Sequence, residues 1–95
     1  MSRFAQSSSI PWRRVGDDII LAPAGRDDFD RLSGTAAVVW TVLDRPRSFD
    51  NLIGALAEIY AIPAEAIDAD VRSLVAELLE RGAIKELQGS EETDG

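Results

Sequence analysis

The run Asp28-Phe29-Asp30-Arg31-Leu32-Ser33-Gly34-Thr35-Ala36-Ala37-Val38-Val39-Trp40 decides how this chain is read, because the hydrophobic period changes inside it. Up to Leu32 the residues suit a short extended segment. Beyond Ser33, a residue type that caps helices, Ala36, Val39, Trp40 and Leu43 follow the i, i+3, i+4, i+7 spacing of a buried helical face. A helix from Gly34 to about Leu43 is therefore expected, and Pro46 excludes its continuation.

Upstream, Pro11 to Val15 and Asp18 to Ala22 flank Gly16-Asp17, a pair suited to a two-residue hairpin turn. Pro23 to Asp27 reads as a second turn, and Asp28 to Leu32 returns as a third strand. Asp-Phe-Asp-Arg-Leu is polar for a strand, which fits a sheet edge where charge discourages indiscriminate pairing. Downstream, Ser48 can cap a second helix, with Asp50 in its first turn and Phe49, Leu52, Ile53, Leu56, Ile59 and Tyr60 as its buried stripe. Pro63 and Glu65 suit the first turn of a third helix. Ile67, Val71, Leu74 and Leu78 form its core face, which Val75 and Leu79 widen. Arg81-Gly82 is a stop signal, and Ala83 to Leu87 follows as a short extended tail. The expected architecture is α+β: a winged helix-turn-helix with an N-terminal three-stranded antiparallel sheet followed by three helices.

With 95 residues the chain fits one small domain, placed at residues 10–87. Residues 1–9, with Ser7-Ser8-Ser9, read as a flexible N-terminal arm, and residues 88–95 as a flexible acidic tail. No stretch approaches the ~18 apolar residues of a membrane span. The segment before Arg13 lacks the continuous apolar run of a secretory signal, so a cytoplasmic protein without membrane contact is expected. The sequence contains no cysteine and no histidine, which removes thiolate nucleophiles, imidazole bases and zinc-finger chemistry. Ten basic against 17 acidic residues give a net charge of −7, so phosphate backbones are repelled. Composition points to a non-catalytic binding module without a cofactor.

Individual constellations add little chemistry. Asp27, Asp28 and Asp30 lack the further oxygens, central Gly and terminal Glu of a calcium loop, and a turn plus a charged edge explains them. Asp68 and Asp70, two apart on a helix, point in different directions, which does not suit paired acid–base work. Arg13, Arg14, Arg26, Arg31, Arg45 and Arg47 concentrate positive charge, but the second helix carries no Lys or Arg. A winged-helix DNA-binding regulator is thus an alternative the charges disfavour. A structural or dimerisation module of an enzyme complex is another. Trp40 belongs to the core stripe, whereas Trp12 and Phe29 each fit either a buried or an exposed position.

A longer pattern links these pieces. Leu32-Ser33-Gly34-Thr35-Ala36 to Trp40, Leu43-Asp44, Pro46 to Phe49, Leu52, Leu56 and Tyr60 are followed by Asp70-Val71, Leu74-Val75, Leu78-Leu79 and Gly82-Ala83-Ile84. Over about Trp12 to Leu87 it resembles the PqqD-like family, the stand-alone RiPP recognition elements that include the B1 proteins of lasso-peptide biosynthesis. The resemblance implies a peptide chaperone. Such a protein binds the leader of a ribosomally made precursor by strand addition and presents it to a modifying enzyme. That enzyme would be a leader peptidase, a cyclase or a radical SAM enzyme. Carried over by position, Asp28, Phe29, Asp30 and Arg31 would form the pairing strand. Arg72, Val75 and Leu79 would form a helical wall, with Arg72 available to a leader carboxylate, although Val75 and Leu79 fit the core equally well. The acidic pairing strand would suit a leader with basic residues beside its apolar anchors.

Overall fold

The computed structural model describes residues 2–22 and 27–88. Strands β1 (Ser2–Gln6), β2 (Trp12–Val15), β3 (Asp18–Leu21) and β4 (Asp30–Leu32) precede α1 (Thr35–Val42). Then come β5 (Arg47–Ser48), α2 (Phe49–Tyr60), α3 (Ala64–Glu80) and β6 (Ile84–Gln88). The expected sheet is present as β2-β3-β4, antiparallel throughout, followed by the three expected helices. A second antiparallel sheet, ordered β5-β1-β6, accompanies it. The expected turn at residues 23–26 and the tail beyond residue 88 lie outside the described residues.

The hairpin between β2 and β3 closes at Val15 opposite Asp18, and Gly16, its first central residue, takes φ +63°. A type II′ turn demands that conformation there, and glycine meets it without steric cost. Paired residues share a face. Ile19, Leu21 and Leu32 are fully buried against the helices, while Arg13, Ile20 and Arg31 share the outer face. On that face Arg31 Nε donates to Asp18 Oδ2 at 2.7 Å. The Arg31 hydrogen bond, aided by one from Ser33, holds the Asp18 carboxyl below its ordinary value of 3.8. Ser33 is thus engaged with Asp18 and does not cap α1. The α1 N-cap is Gly34 at φ +59°, with no side-chain hydrogen bond.

The segment expected as a flexible arm is instead a central strand. β1 pairs with β6 from Ser2 opposite Gln88 to Gln6 opposite Ile84, and its other edge pairs with β5. Ala5 is buried and Phe4 packs against the core. Ser2 to Gln6 is thus part of a sheet rather than an arm, and Ala83 to Leu87, read as a short extended tail, mostly belongs to β6. Partners 34 and 75 residues away stitch this segment down. Gln6 Nε2 donates to the Trp40 carbonyl at 2.9 Å, and the Ser7 hydroxyl donates to the Gly82 carbonyl at 2.7 Å. Ser7, which reads as solvent-loving locally, is used here as a hydrogen-bond donor to a distant carbonyl.

Helix α2 starts as expected, the Ser48 hydroxyl accepting from the Asn51 amide at 3.1 Å. Its stripe is buried at Leu52, Ile53 and Leu56, but Ile59 and Tyr60 emerge, 54% and 41% exposed. They belong to a last turn that projects past the core. Helix α3 ends in a Schellman motif: Gly82 at φ +77° lets its amide reach the Leu79 carbonyl, and the Ala83 amide reaches the Leu78 carbonyl. That turn also delivers the Ala83 carbonyl to the buried indole Nε1–H of Trp40, at 3.2 Å. Trp12, half exposed, meets Trp40 edge-on with ring centroids 4.8 Å apart.

Two measurements check this packing. Deleting Ser2 to Gln6 removes the middle strand of a sheet, and urea unfolding should lose more than about 2 kcal/mol of stability through lost burial and ladder hydrogen bonds. A dispensable arm would leave the midpoint unchanged. The low Asp18 pKa contributes stability above the unfolded carboxyl value, lost as pH falls through the folded one. Arg31→Gln should raise the Asp18 titration midpoint, read by NMR, and flatten the acid limb of the stability curve.

Candidate functional site

β4 ends its sheet: β3 occupies one edge, and no strand of the described residues lies along the other. An edge strand presents backbone groups that an extended chain can pair with. What lies beside that edge is set by α3. At 100° per residue, Ile67, Asp70, Leu74, Glu77 and Arg81 form one continuous flank of this helix (i, i+3, i+7, i+10, i+14). Two contacts show that it runs alongside β4. At one end, Arg81 lies 3.8 Å from the Asp30 carboxylate of β4 and 3.2 Å from Glu77 on its own helix. At the other, Thr35, just past β4, shares the wall of a cavity of about 170 Å³ with Ile67, Asp70, Val71, Leu56, Tyr60 and Ile62. The strand edge and the apolar–acidic helix flank thus run side by side as the two walls of a candidate groove, with an ion pair at one end and an apolar pocket at the other.

The residues expected to carry binding are distributed unevenly around this groove. Asp30 is in β4 and Asp28 immediately precedes it. Arg31 belongs to the outer face, tied to Asp18. Phe29 is 68% exposed and lines a shallow depression with Pro11, Trp12, Val15 and Ile20, again on the outer face, so it is neither core nor part of the α3 groove. Val75 is a core residue, only 4% exposed, which corrects its assignment to the groove wall. Leu74, expected in the core, is instead half-buried on the groove flank. Arg72 and Leu79 fall on the opposite flank of α3. Arg72 is bonded there to Asp68 at 3.2 Å, and its guanidinium lies 4.3 Å above the Phe49 ring centre. On the flank of α3 that meets β4 stand Ile67, Asp70, Leu74 and Glu77, while Val75 is in the core and Arg72 and Leu79 stand on the opposite flank. The stripe was present in the sequence as a regular spacing. The flank that meets β4 follows only from the Arg81–Asp30 contact, where Arg81 reads locally as a stop signal.

What this flank offers is backbone donors and acceptors along β4, an apolar pocket, and carboxylates. A DNA-binding role finds no support in the helices, since α2 carries neither Lys nor Arg and α3 carries only Arg72 and, at its C-cap, Arg81, against several acids. Among the described residues no helix is long and apolar enough to cross a membrane.

Comparison with known proteins agrees with this fold. No curated protein matches the sequence. The structure resembles that of "TbiB1 in Complex with the TbiA(beta) Leader Peptide" with a TM-score of 0.72, covering 85% of this chain and 94% of that one at 14% identity, a likeness of fold. The family model for "Coenzyme PQQ synthesis protein D (PqqD)" matches residues 19–84, a span that runs from β3 through β4 and the three helices into the start of β6. The chain is a member of the PqqD family.

Proposed function

We propose that this protein is a RiPP recognition element, a non-catalytic chaperone for the leader of a ribosomally synthesised precursor peptide. The observation that carries this reading is the groove between the edge of β4 and the Ile67–Arg81 flank of α3, in a chain of the PqqD family. That the fold neighbour TbiB1 holds a leader peptide supports it further. The leader adds as a strand to Asp30–Leu32. Main-chain pairing gives register, and a side chain dropped into the pocket by Ile67 and Val71 gives selectivity. Asp28, next to the strand, and Asp30, within it, belong to the binding edge, whereas Arg72 and Leu79 serve the opposite flank of α3.

The task of such a domain is concentration rather than chemistry. A disordered precursor bound at its leader is held near a modifying enzyme, and the second encounter becomes effectively intramolecular. The enzymes that suit this role are a leader peptidase with a cyclase, or a radical SAM enzyme. Leader affinity should be micromolar or tighter, about 8 kcal/mol.

The test compares the two flanks of α3. With the synthetic leader of the precursor encoded beside this gene, Leu74→Ala should weaken binding about tenfold by calorimetry, as loss of a partly buried contact predicts. Leu79→Ala should change it less than about twofold, with circular dichroism unchanged in both. The reverse order would return the wall to Arg72 and Leu79. No binding to the unmodified protein would remove the leader-binding function.

A further inference from the structure

We propose that the groove selects a cationic peptide: an extended segment in which Lys or Arg stands two residues before or after a single aliphatic anchor. This rests on the groove being the leader site. It adds the chemical class of the leader, which neither strand addition nor the fold specifies.

The charges carry the inference. On the α3 wall, Asp70 and Glu77 flank Leu74. On the β4 side, Asp27 and Asp28 precede the strand and Asp30 opens it. Among the described residues, the one guanidinium on the α3 flank of the groove is Arg81, which is shared between Glu77 and Asp30. Two other arginines of the described residues are engaged elsewhere, Arg31 with Asp18 on the outer face and Arg72 with Asp68 on the far flank. Asp30, Asp70 and Glu77 therefore stand with Arg81 at this flank, three carboxylates to one guanidinium among the described residues, within a chain whose net charge is −7. Both walls have the same sign, so an acidic peptide is repelled along its length and a basic one is drawn in. The spacing follows from strand geometry. In a chain paired with β4, alternate side chains point the same way, so the residues facing α3 are two apart. Seating an aliphatic side chain among Leu56, Ile62, Ile67 and Val71 brings side chains two positions away toward the α3 wall, where Asp70 and Glu77 can receive ammonium or guanidinium groups.

The experiment uses the full chain and the synthetic leader of the precursor encoded beside its gene, with affinity measured at 50 and 500 mM NaCl. Exposed ion pairs are weak and screened, so the higher salt should weaken binding on the order of fivefold. Replacing the Lys and Arg residues of the peptide by Gln should do the same at low salt. The double variant Asp70→Asn/Glu77→Gln should lose about fivefold at low salt and become insensitive to salt. Glu58→Gln/Glu65→Gln changes net charge equally outside the groove flank and should leave affinity within about twofold. A leader that binds equally at both salt concentrations, or equally to the Asp70/Glu77 variant, or that has no basic residue beside its anchor, overturns the proposal while leaving leader binding intact. A leader that binds under neither condition overturns the reading of the groove itself.

Discussion

The structure depends on how Trp40 is satisfied. Burying an indole contributes a large apolar area, but its N–H and the backbone around it must find partners or cost ~1–3 kcal/mol each. Here both ends of the chain supply them. The Ala83 carbonyl, presented by the Schellman turn after α3, accepts from the ring, and Gln6 in β1 donates to the Trp40 carbonyl. Trp12 of the other sheet closes over the ring edge-on. One side chain thus joins α1 to both sheets, and β1 has to lie between β5 and β6 for Gln6 to reach it. β1 and β6 pair with each other in that second sheet, and among the described residues β4 stands at the margin of the β2-β3-β4 sheet.

How much of this was legible follows from the range of each interaction. The helices were, because Val39, Trp40 and Leu43 in α1 and Leu52, Ile53 and Leu56 in α2 carry their burial in a period of 3.6. The β2-β3 hairpin was, because Gly16-Asp17 encodes a turn locally. The strand β1 was not, because Ser2-Arg3-Phe4-Ala5-Gln6 has only Ala5 and Phe4 to bury and draws its order from a ladder with residues more than 40 positions away. Ser33 misled for the reverse reason. Its hydroxyl had a local use as a cap, but Asp18, adjacent in the folded sheet, offered a carboxylate.

The groove shows the same division. The sequence marked Asp30 as part of a charged edge and the family resemblance paired that edge with α3; the structure puts β4 at a sheet edge with Arg81, at the end of α3, beside Asp30. The sequence did not fix which side of α3 turns toward β4, because Leu74 and Leu79 are equally apolar and lie on either side of the buried Val71, Val75 and Leu78. Burial of Val71, Val75 and Leu78 sets the rotation of the helix, and the Arg81–Asp30 contact shows which flank lies beside β4. That rotation turns Asp70 and Glu77 toward the groove and removes Arg72 from it, so the wall changes from one with a free cation to one that is acidic. Recognition chemistry is set here by helix rotation as much as by composition.

Strand addition at β4 is the central claim, and its most direct measurement is amide hydrogen exchange at Asp30, Arg31 and Leu32 with and without saturating leader peptide. Pairing should slow exchange at the outward-facing amides of this strand by tenfold or more, while the hairpin amides of β2 keep their rates. If the peptide saturates the protein and the β4 amides exchange as they do in its absence, the peptide is held elsewhere and the account fails.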